Sequence, residues 1–179
     1  KLKIGIAGYG IIGKRRRQNI DKNESMETVA VCDQNFKHAE LLNDGVRCYP
    51  DYQQLLNEED LDVLFVSLPN YLAPEVTIAG LDKGLHVFCE KPPGRNVNDV
   101  LKVLETKQKY PSLNLKYGFN HRYHDSVILA KDLINKGDFG EIISLQGVYG
   151  KSRIVSFEGG WRSRKEIAGG GILLDQGIH

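Results

Sequence analysis

Gly8, Gly10 and Gly13 stand in the pattern G-x-G-x-x-G, with Tyr9, Ile11 and Ile12 between them, after a short apolar run and before a helical pattern. Small residues in that context suit the cradling of a pyrophosphate. Gly8 permits a tight turn, Gly10 lets the backbone approach the ligand, and Gly13 allows close helix packing. Free N–H groups at the helix start, where Ile11 and Ile12 lie, attract negative charge. About twenty residues further on, Asp33 ends a second apolar run, the place of a carboxylate that takes both hydroxyls of an adenosine ribose. The bland alternative is turn glycines with Asp33 as a cap. Asp33 would repel a 2′-phosphate, which favours NAD; Lys37 and the run Lys14-Arg15-Arg16-Arg17 leave NADP open. That basic run also reads as the solvated face of a helix.

Two further stretches break the pattern of the apolar runs they end. Leu68-Pro69-Asn70 places a proline turn and an amide where a nicotinamide pocket would be shaped, or where a helix simply begins with Asn70 as its cap. Glu90-Lys91-Pro92-Pro93 sets two charges at the end of a buried strand and then stiffens the chain. Asp175 and His179 are four apart, so on a helix they would share one face, about 6 Å apart along the axis. An acid there could orient a base. His121 and His124, with Asp125 beside them, have no further carboxylate or Cys nearby to complete a ligand set, so no metal site is expected.

Positioning such groups requires alternating strands and helices. Apolar runs at 3–7, 28–32, 46–49, 62–68, 85–89 and 113–119 predict six strands. Helical patterns at 11–20, 36–42, 74–83 and 96–110 separate most of them. The result is an α/β chain with a Rossmann-type, doubly wound parallel sheet. Beyond residue 120 the pattern changes to a helix at 126–135, a strand at 141–149 and an irregular, glycine-rich connection over 150–171. The expected division is a nucleotide-binding domain at 1–119 and part of a second domain at 120–179.

The 179 residues include 24 Lys+Arg and 23 Asp+Glu, a formal charge of +1, and are 41% hydrophobic and 26% charged. This balance offers no excess for binding nucleic acid, and no stretch reaches the roughly 18 apolar residues of a membrane span. Cys32, Cys48 and Cys89 lie in or beside apolar runs without metal or disulfide spacing, and a cytoplasmic protein is expected.

Glu90-Lys91-Pro92 after an N-terminal G-x-G-x-x-G resembles the glucose-fructose oxidoreductase and inositol dehydrogenase family, Gfo/Idh/MocA. The run from Gly169 to His179 is similar to that family's glycine-rich approach to an Asp-x-x-x-His pair, and Phe119-Asn120-His121-Arg122-Tyr123 resembles its domain junction. The resemblance spans the chain. It implies NAD(P)-dependent hydride transfer on sugars, polyols or their derivatives, with Lys91, Asp175 and His179 at the catalytic positions. His179 would take the hydroxyl proton while Lys91 polarises the same oxygen.

Leu68, Pro69, Asn70, Glu90 and Lys91 would then border the cofactor. Asn120, Arg122, Tyr149, Trp161 and Arg162, with Lys91 and His179, become candidate sugar contacts; packing is an equal reading for Trp161. Ala73 stands where family members often carry a His. The family's second domain continues past the Asp-x-x-x-His segment into an open, mostly antiparallel sheet and commonly self-associates. On that footing the chain is expected to be truncated, to bind NAD, and to turn over poorly unless another chain completes the site. A non-catalytic NAD(P)-binding sensor or assembly subunit is the rival reading.

Overall fold

The structure is a computed structural model that describes residues 1–148 and 160–179. Seven strands form one sheet in the order β3-β4-β2-β1-β5-β6-β7. They are β1 (Leu2–Ala7), β2 (Met26–Cys32), β3 (Glu40–Leu41), β4 (Arg47–Tyr49), β5 (Val63–Val66), β6 (His86–Cys89) and β7 (Leu115–Tyr117). All neighbours run parallel except β3, which pairs antiparallel with β4 at the edge. Parallel strands need crossover connections, and helices covering both faces leave the central strands apolar throughout. Ile4, Ile6, Val31, Leu64 and Val66 are accordingly sealed from solvent.

The first crossover is α1 (Ile11–Ile20), followed along the chain by α2 (Tyr52–Glu58), α3 (Ala73–Asp82) and α4 (Val97–Lys109). Local chemistry starts these helices. Asp51 caps α2 by accepting the Gln54 N–H at 2.8 Å, and Asn96 caps α4 by accepting the Asp99 N–H at 3.0 Å. Pro74 occupies the first turn of α3, where its missing donor costs nothing.

Three sequence expectations change. Residues 36–42 are not helical. Gly45, at φ 86°, turns the chain so that Leu42 N–H donates to the Val46 carbonyl at 2.9 Å, and Glu40–Leu41 fold back along β4 as a seventh strand. An Asp-Gly pair is a strong hairpin signal, and it overrides the polar helical pattern before it. The short helix α2 was not expected at all. The strand expected at 141–149 is absent over 141–148, and Tyr149 lies outside the described residues. Among the described residues no strand follows β7, so no open antiparallel sheet is seen. A strand needs a hydrogen-bonding partner, and here Ile143 and Val148 are each 95% exposed.

After β7 come a 3-10 turn at Asn120–Tyr123, α5 (Asp125–Lys136), a second 3-10 turn at Trp161–Ser163, α6 (Lys165–Ala168) and α7 (Gly171–Asp175). Among the described residues no helix is long and apolar enough to cross a membrane. All three cysteines are free and buried.

Candidate active site

The strand order reverses at β1, with β2 on one side and β5 on the other, and ligands of open α/β sheets bind outside the carboxyl ends of strands at such a point. The glycine loop lies there. Gly8 has φ 92°, and a Cβ on it would stand 2.4 Å from the Ser67 carbonyl oxygen beyond β5. A Cβ on Gly13 would stand 2.0 Å from the Gly8 carbonyl oxygen, so α1 can pack this closely only on a glycine. Gly10 differs, because nothing lies within 4 Å of the Cβ it lacks. The start of α1 has neither a side-chain cap nor an acidic residue in its first turn, and Ile11 is 80% exposed beside the half-exposed Ile12. Its N–H groups therefore face an open, uncharged space suited to a pyrophosphate.

Asp33 follows β2 and is aimed by backbone. Its Oδ2 accepts the Tyr9 N–H at 3.0 Å, and its Oδ1 accepts the Asn35 N–H at 3.1 Å and the Asn35 side-chain amide at 2.6 Å. Oδ1 thus has both lone pairs engaged by Asn35, whereas Oδ2 keeps a second lone pair to accept a hydroxyl. Open space at Gly10, an uncapped helix start and a fixed carboxylate together fit an adenine dinucleotide.

The basic run of α1 is not simply a solvated face. Lys14 and Arg15 are exposed, but Arg16 and Arg17 turn inward with Gly13 and Ile20, as the helical repeat requires. Arg16 pairs with the Glu90 carboxylate, and its guanidinium carbon lies 5.1 Å from the Phe88 ring centre. Glu90, expected beside the cofactor, is thus held from beneath by α1.

Lys91 reaches the C-terminal segment. Its Nζ donates to Asp175 Oδ1 at 3.0 Å and to the Asp175 main-chain carbonyl. Asp175 Oδ2 accepts the Gln176 amide at 2.7 Å. The single helix face expected to carry Asp175 and His179 does not form. α7 ends at Asp175, and the His179 N–H donates back to the Gln176 carbonyl at 3.3 Å. Glycines at 169–171 and 177 shorten this helix, and the carboxylate orients the lysine across 84 residues of sequence. His179 instead stacks on His121, with ring centres 3.9 Å apart, and meets the edge of Phe119 at 6.2 Å. His124 stands 4.9 Å from His121. Among the described residues no group of three His, Cys, Asp or Glu could hold a metal ion.

Burial alone would raise the Asp175 carboxyl, but bonds from Lys91 and Gln176 and the Lys91 and Arg162 charges outweigh it and hold it below the usual carboxylate value. Burial, with the Lys91 and His121 charges, lowers the His179 imidazole below its ordinary value against the opposing pull of Asp175.

Leu68 packs against the core, and the Pro69 carbonyl accepts the first N–H groups of α3, from Leu72 and Ala73. Asn70 caps no helix. It is buried, and its amide donates to the Ala168 carbonyl at 2.7 Å, tying the β5 corner to the glycine-rich segment. Arg95 makes a second tie, donating to the Glu166 carbonyl at 2.9 Å. Arg162 joins Asn70, Ala168, Gly171, Ile172 and Asp175 around a small recess. The Trp161 ring carries the Arg162 guanidinium at 4.3 Å and does not line that recess. Asn120 and Arg122 are exposed in the 3-10 turn. Neither Gln176 nor Arg95 stood out in the sequence, and Arg16 and Arg17 stood out only as part of a basic run, without their contacts to Glu90 and Tyr9. For the two α1 arginines the spacing from Gly13 to Ile20 was an available signal.

The model of a family described as "Oxidoreductase family, NAD-binding Rossmann fold", Gfo/Idh/MocA, matches residues 2–118, and that of its C-terminal domain matches residues 127–179. The chain belongs to the Gfo/Idh/MocA family. It is 32% identical over 151 residues to inositol 2-dehydrogenase of Salmonella typhimurium, covering 82% of this chain and 45% of that one. With D-glucoside 3-dehydrogenase of Escherichia coli it shares 30% identity, covering 99% of this chain and 51% of the relative. The structure of scyllo-inositol dehydrogenase from Lactobacillus casei with bound NAD(H) and scyllo-inositol superposes with a TM-score of 0.70, at 26% identity, covering 79% of this chain and 43% of that one. The chain thus spans about half the length of these Gfo/Idh/MocA relatives. The NAD-binding Rossmann fold is the part matched by the first model.

Proposed function

We propose that the chain takes part in NAD-dependent oxidation of a CH–OH group in a sugar, polyol or sugar derivative, with NADP as the less favoured cofactor. The observation that carries this reading is the contact of Lys91 Nζ with Asp175, which brings an ammonium and a carboxylate 84 residues apart in sequence to the carboxyl ends of the strands, beside His179. Gly8, Gly10, Ile11, Ile12, Gly13 and Asp33 would hold the dinucleotide, with Leu68 and Pro69 shaping the nicotinamide end. Asn70 and Glu90 support that end from behind through Ala168 and Arg16.

Bound NAD supplies the acceptor for the hydride that leaves the substrate carbon. Lys91 binds and polarises the hydroxyl oxygen, Asp175 holds the ammonium in place, and neutral His179 accepts the hydroxyl proton. The substrate leaves as the carbonyl compound. Arg162, which shares the recess with Asp175, would contact the sugar, as would Asn120 and Arg122; Trp161 serves to pack Arg162.

Residues 1–119 act as the cofactor domain, and 120–179 contribute to a substrate and association domain. Three buried free thiols suit the reducing cytoplasm, a charge of +1 suits a small-molecule substrate over nucleic acid, and exposed Val127, Ile128 and Leu129 on α5 suit self-association.

The test pairs calorimetry with NAD and, on the full-length gene product, a polyol and sugar panel followed by the absorbance of reduced nicotinamide. At least one polyol should reduce NAD. Lys91→Ala should abolish that reduction while NAD affinity stays within about tenfold. A protein that binds NAD but reduces it with no substrate would be a sensor, and loss of NAD binding in Lys91→Ala would move Lys91 to a cofactor role.

A further inference from the structure

Arg17 lies on α1 behind the glycine loop, and its side chain is only 13% exposed. All three guanidinium nitrogens are used. Nη1 donates to the Tyr9 hydroxyl at 2.7 Å, Nη2 to Asp44 Oδ2 at 2.5 Å, and Nε to Asp21 Oδ2 at 3.2 Å. Its guanidinium carbon is 5.9 Å from the Tyr9 ring centre. Tyr9 is the middle residue of Gly8-Tyr9-Gly10, and its N–H holds Asp33 Oδ2 at 3.0 Å. The same tyrosine ring stacks on Phe36, centre to centre 6.3 Å, while the Phe36 N–H donates to the Asp33 carbonyl at 3.0 Å.

The contacts therefore run in series. Asp44, at the turn between β3 and β4, and Asp21, just past α1, fix the guanidinium fork; the fork fixes the Tyr9 ring; Tyr9 fixes the carboxylate from its backbone. A planar fork with several donors holds a ring in one place better than a single ammonium does. We infer that Arg17 is a positioning residue for the adenosine half of the cofactor, acting through Tyr9 on the direction of the Asp33 carboxylate. This rests on the reading that Asp33 takes the ribose. Pre-organising that carboxylate removes an ordering cost from binding, so its loss shows in affinity for the adenosine half and not for the nicotinamide half.

The experiment measures dissociation constants of NAD, ADP-ribose and nicotinamide mononucleotide for the parent chain, Tyr9→Phe, Arg17→Leu, Arg17→Lys, the Tyr9→Phe/Arg17→Leu double variant and Asp33→Ala. Tyr9→Phe removes one oxygen and keeps the ring, so it reports even where Arg17→Leu fails to fold. Tyr9→Phe and Arg17→Leu should each weaken NAD and ADP-ribose by about three- to tenfold, with the double variant no worse than the weaker single one. Arg17→Lys should recover only part of the loss, and affinity for nicotinamide mononucleotide should stay within about twofold of the parent. Equal loss for both halves of the cofactor would mark a general structural role and overturn the inference, as would unchanged ADP-ribose affinity in Tyr9→Phe. If Asp33→Ala leaves ADP-ribose affinity unchanged, the ribose reading itself fails.

Discussion

The Asp175 carboxylate and the His179 imidazole are each held below their ordinary values, by different balances. Asp175 is lowered by Lys91 and Gln176 against burial, whereas His179 is lowered by burial together with like charge. Both groups favour their deprotonated forms in the folded chain. Their contribution to stability is present above the ordinary values and is lost as pH falls through the lowered ones. Acid therefore weakens the Lys91–Asp175 tie and protonates the imidazole proposed as the base. The acid limb of kcat/KM for alcohol oxidation should lie below the ordinary imidazole value of about 6.5. A pH profile whose acid limb sat at or above that value would remove His179 from the role of base. Much of the site was legible residue by residue, because Gly8, Gly10, Gly13, Asp33 and Lys91 follow strands at positions that local pattern marks. The partners were not legible. That Lys91 meets Asp175, Glu90 meets Arg16 and Asn70 meets Ala168 depends on packing between segments far apart in sequence.

Among the elements, β1, the glycine turn and α1 form the unit on which the proposed cofactor binding depends, and its glycines separate into two kinds. Gly13→Ala drives a methyl group to 2.0 Å from the Gly8 carbonyl oxygen, so α1 must lift from β1. We expect it to lower stability by about 1–3 kcal/mol and to lose NAD binding. Gly10→Ala places its methyl in open space, so the thermal midpoint should hold while NAD affinity falls, because the methyl occupies the pyrophosphate cradle. Calorimetry and thermal unfolding on both variants check this pair. Equal stability loss in the two, or unchanged NAD affinity in Gly10→Ala, would count against the cradle. Strong local signals explain why β1, α1, β5, β6 and α4 were readable in advance. Residues 36–42 were not, since a hairpin turned by Asp44 and Gly45 supplied β-pairing that the local helical pattern did not anticipate. The strand expected at 141–149 shows the converse: alternating apolar residues specify a face, but only a neighbouring strand makes the ladder.

On the scale of the whole molecule, the segment from residue 160 to 179 is docked onto the sheet body largely through its main chain. Asn70 and Arg95 hold the carbonyls of Ala168 and Glu166, and Lys91 holds that of Asp175. A Cβ on Gly169 would come within 2.6 Å of the Arg95 carbonyl oxygen, so the fit is close as well as polar. In the proposed function, this docking would make a composite site, with the dinucleotide cradle on one part and Asp175 and His179 on the other. The measurement that bears on it most directly is a structure of the protein with NAD and a polyol bound. The pyrophosphate should lie over Gly10, the adenosine ribose on Asp33, and the reacting hydroxyl within about 3 Å of Lys91 Nζ and within reach of His179. A dinucleotide bound elsewhere, or a reacting hydroxyl out of range of Lys91, would contradict the account.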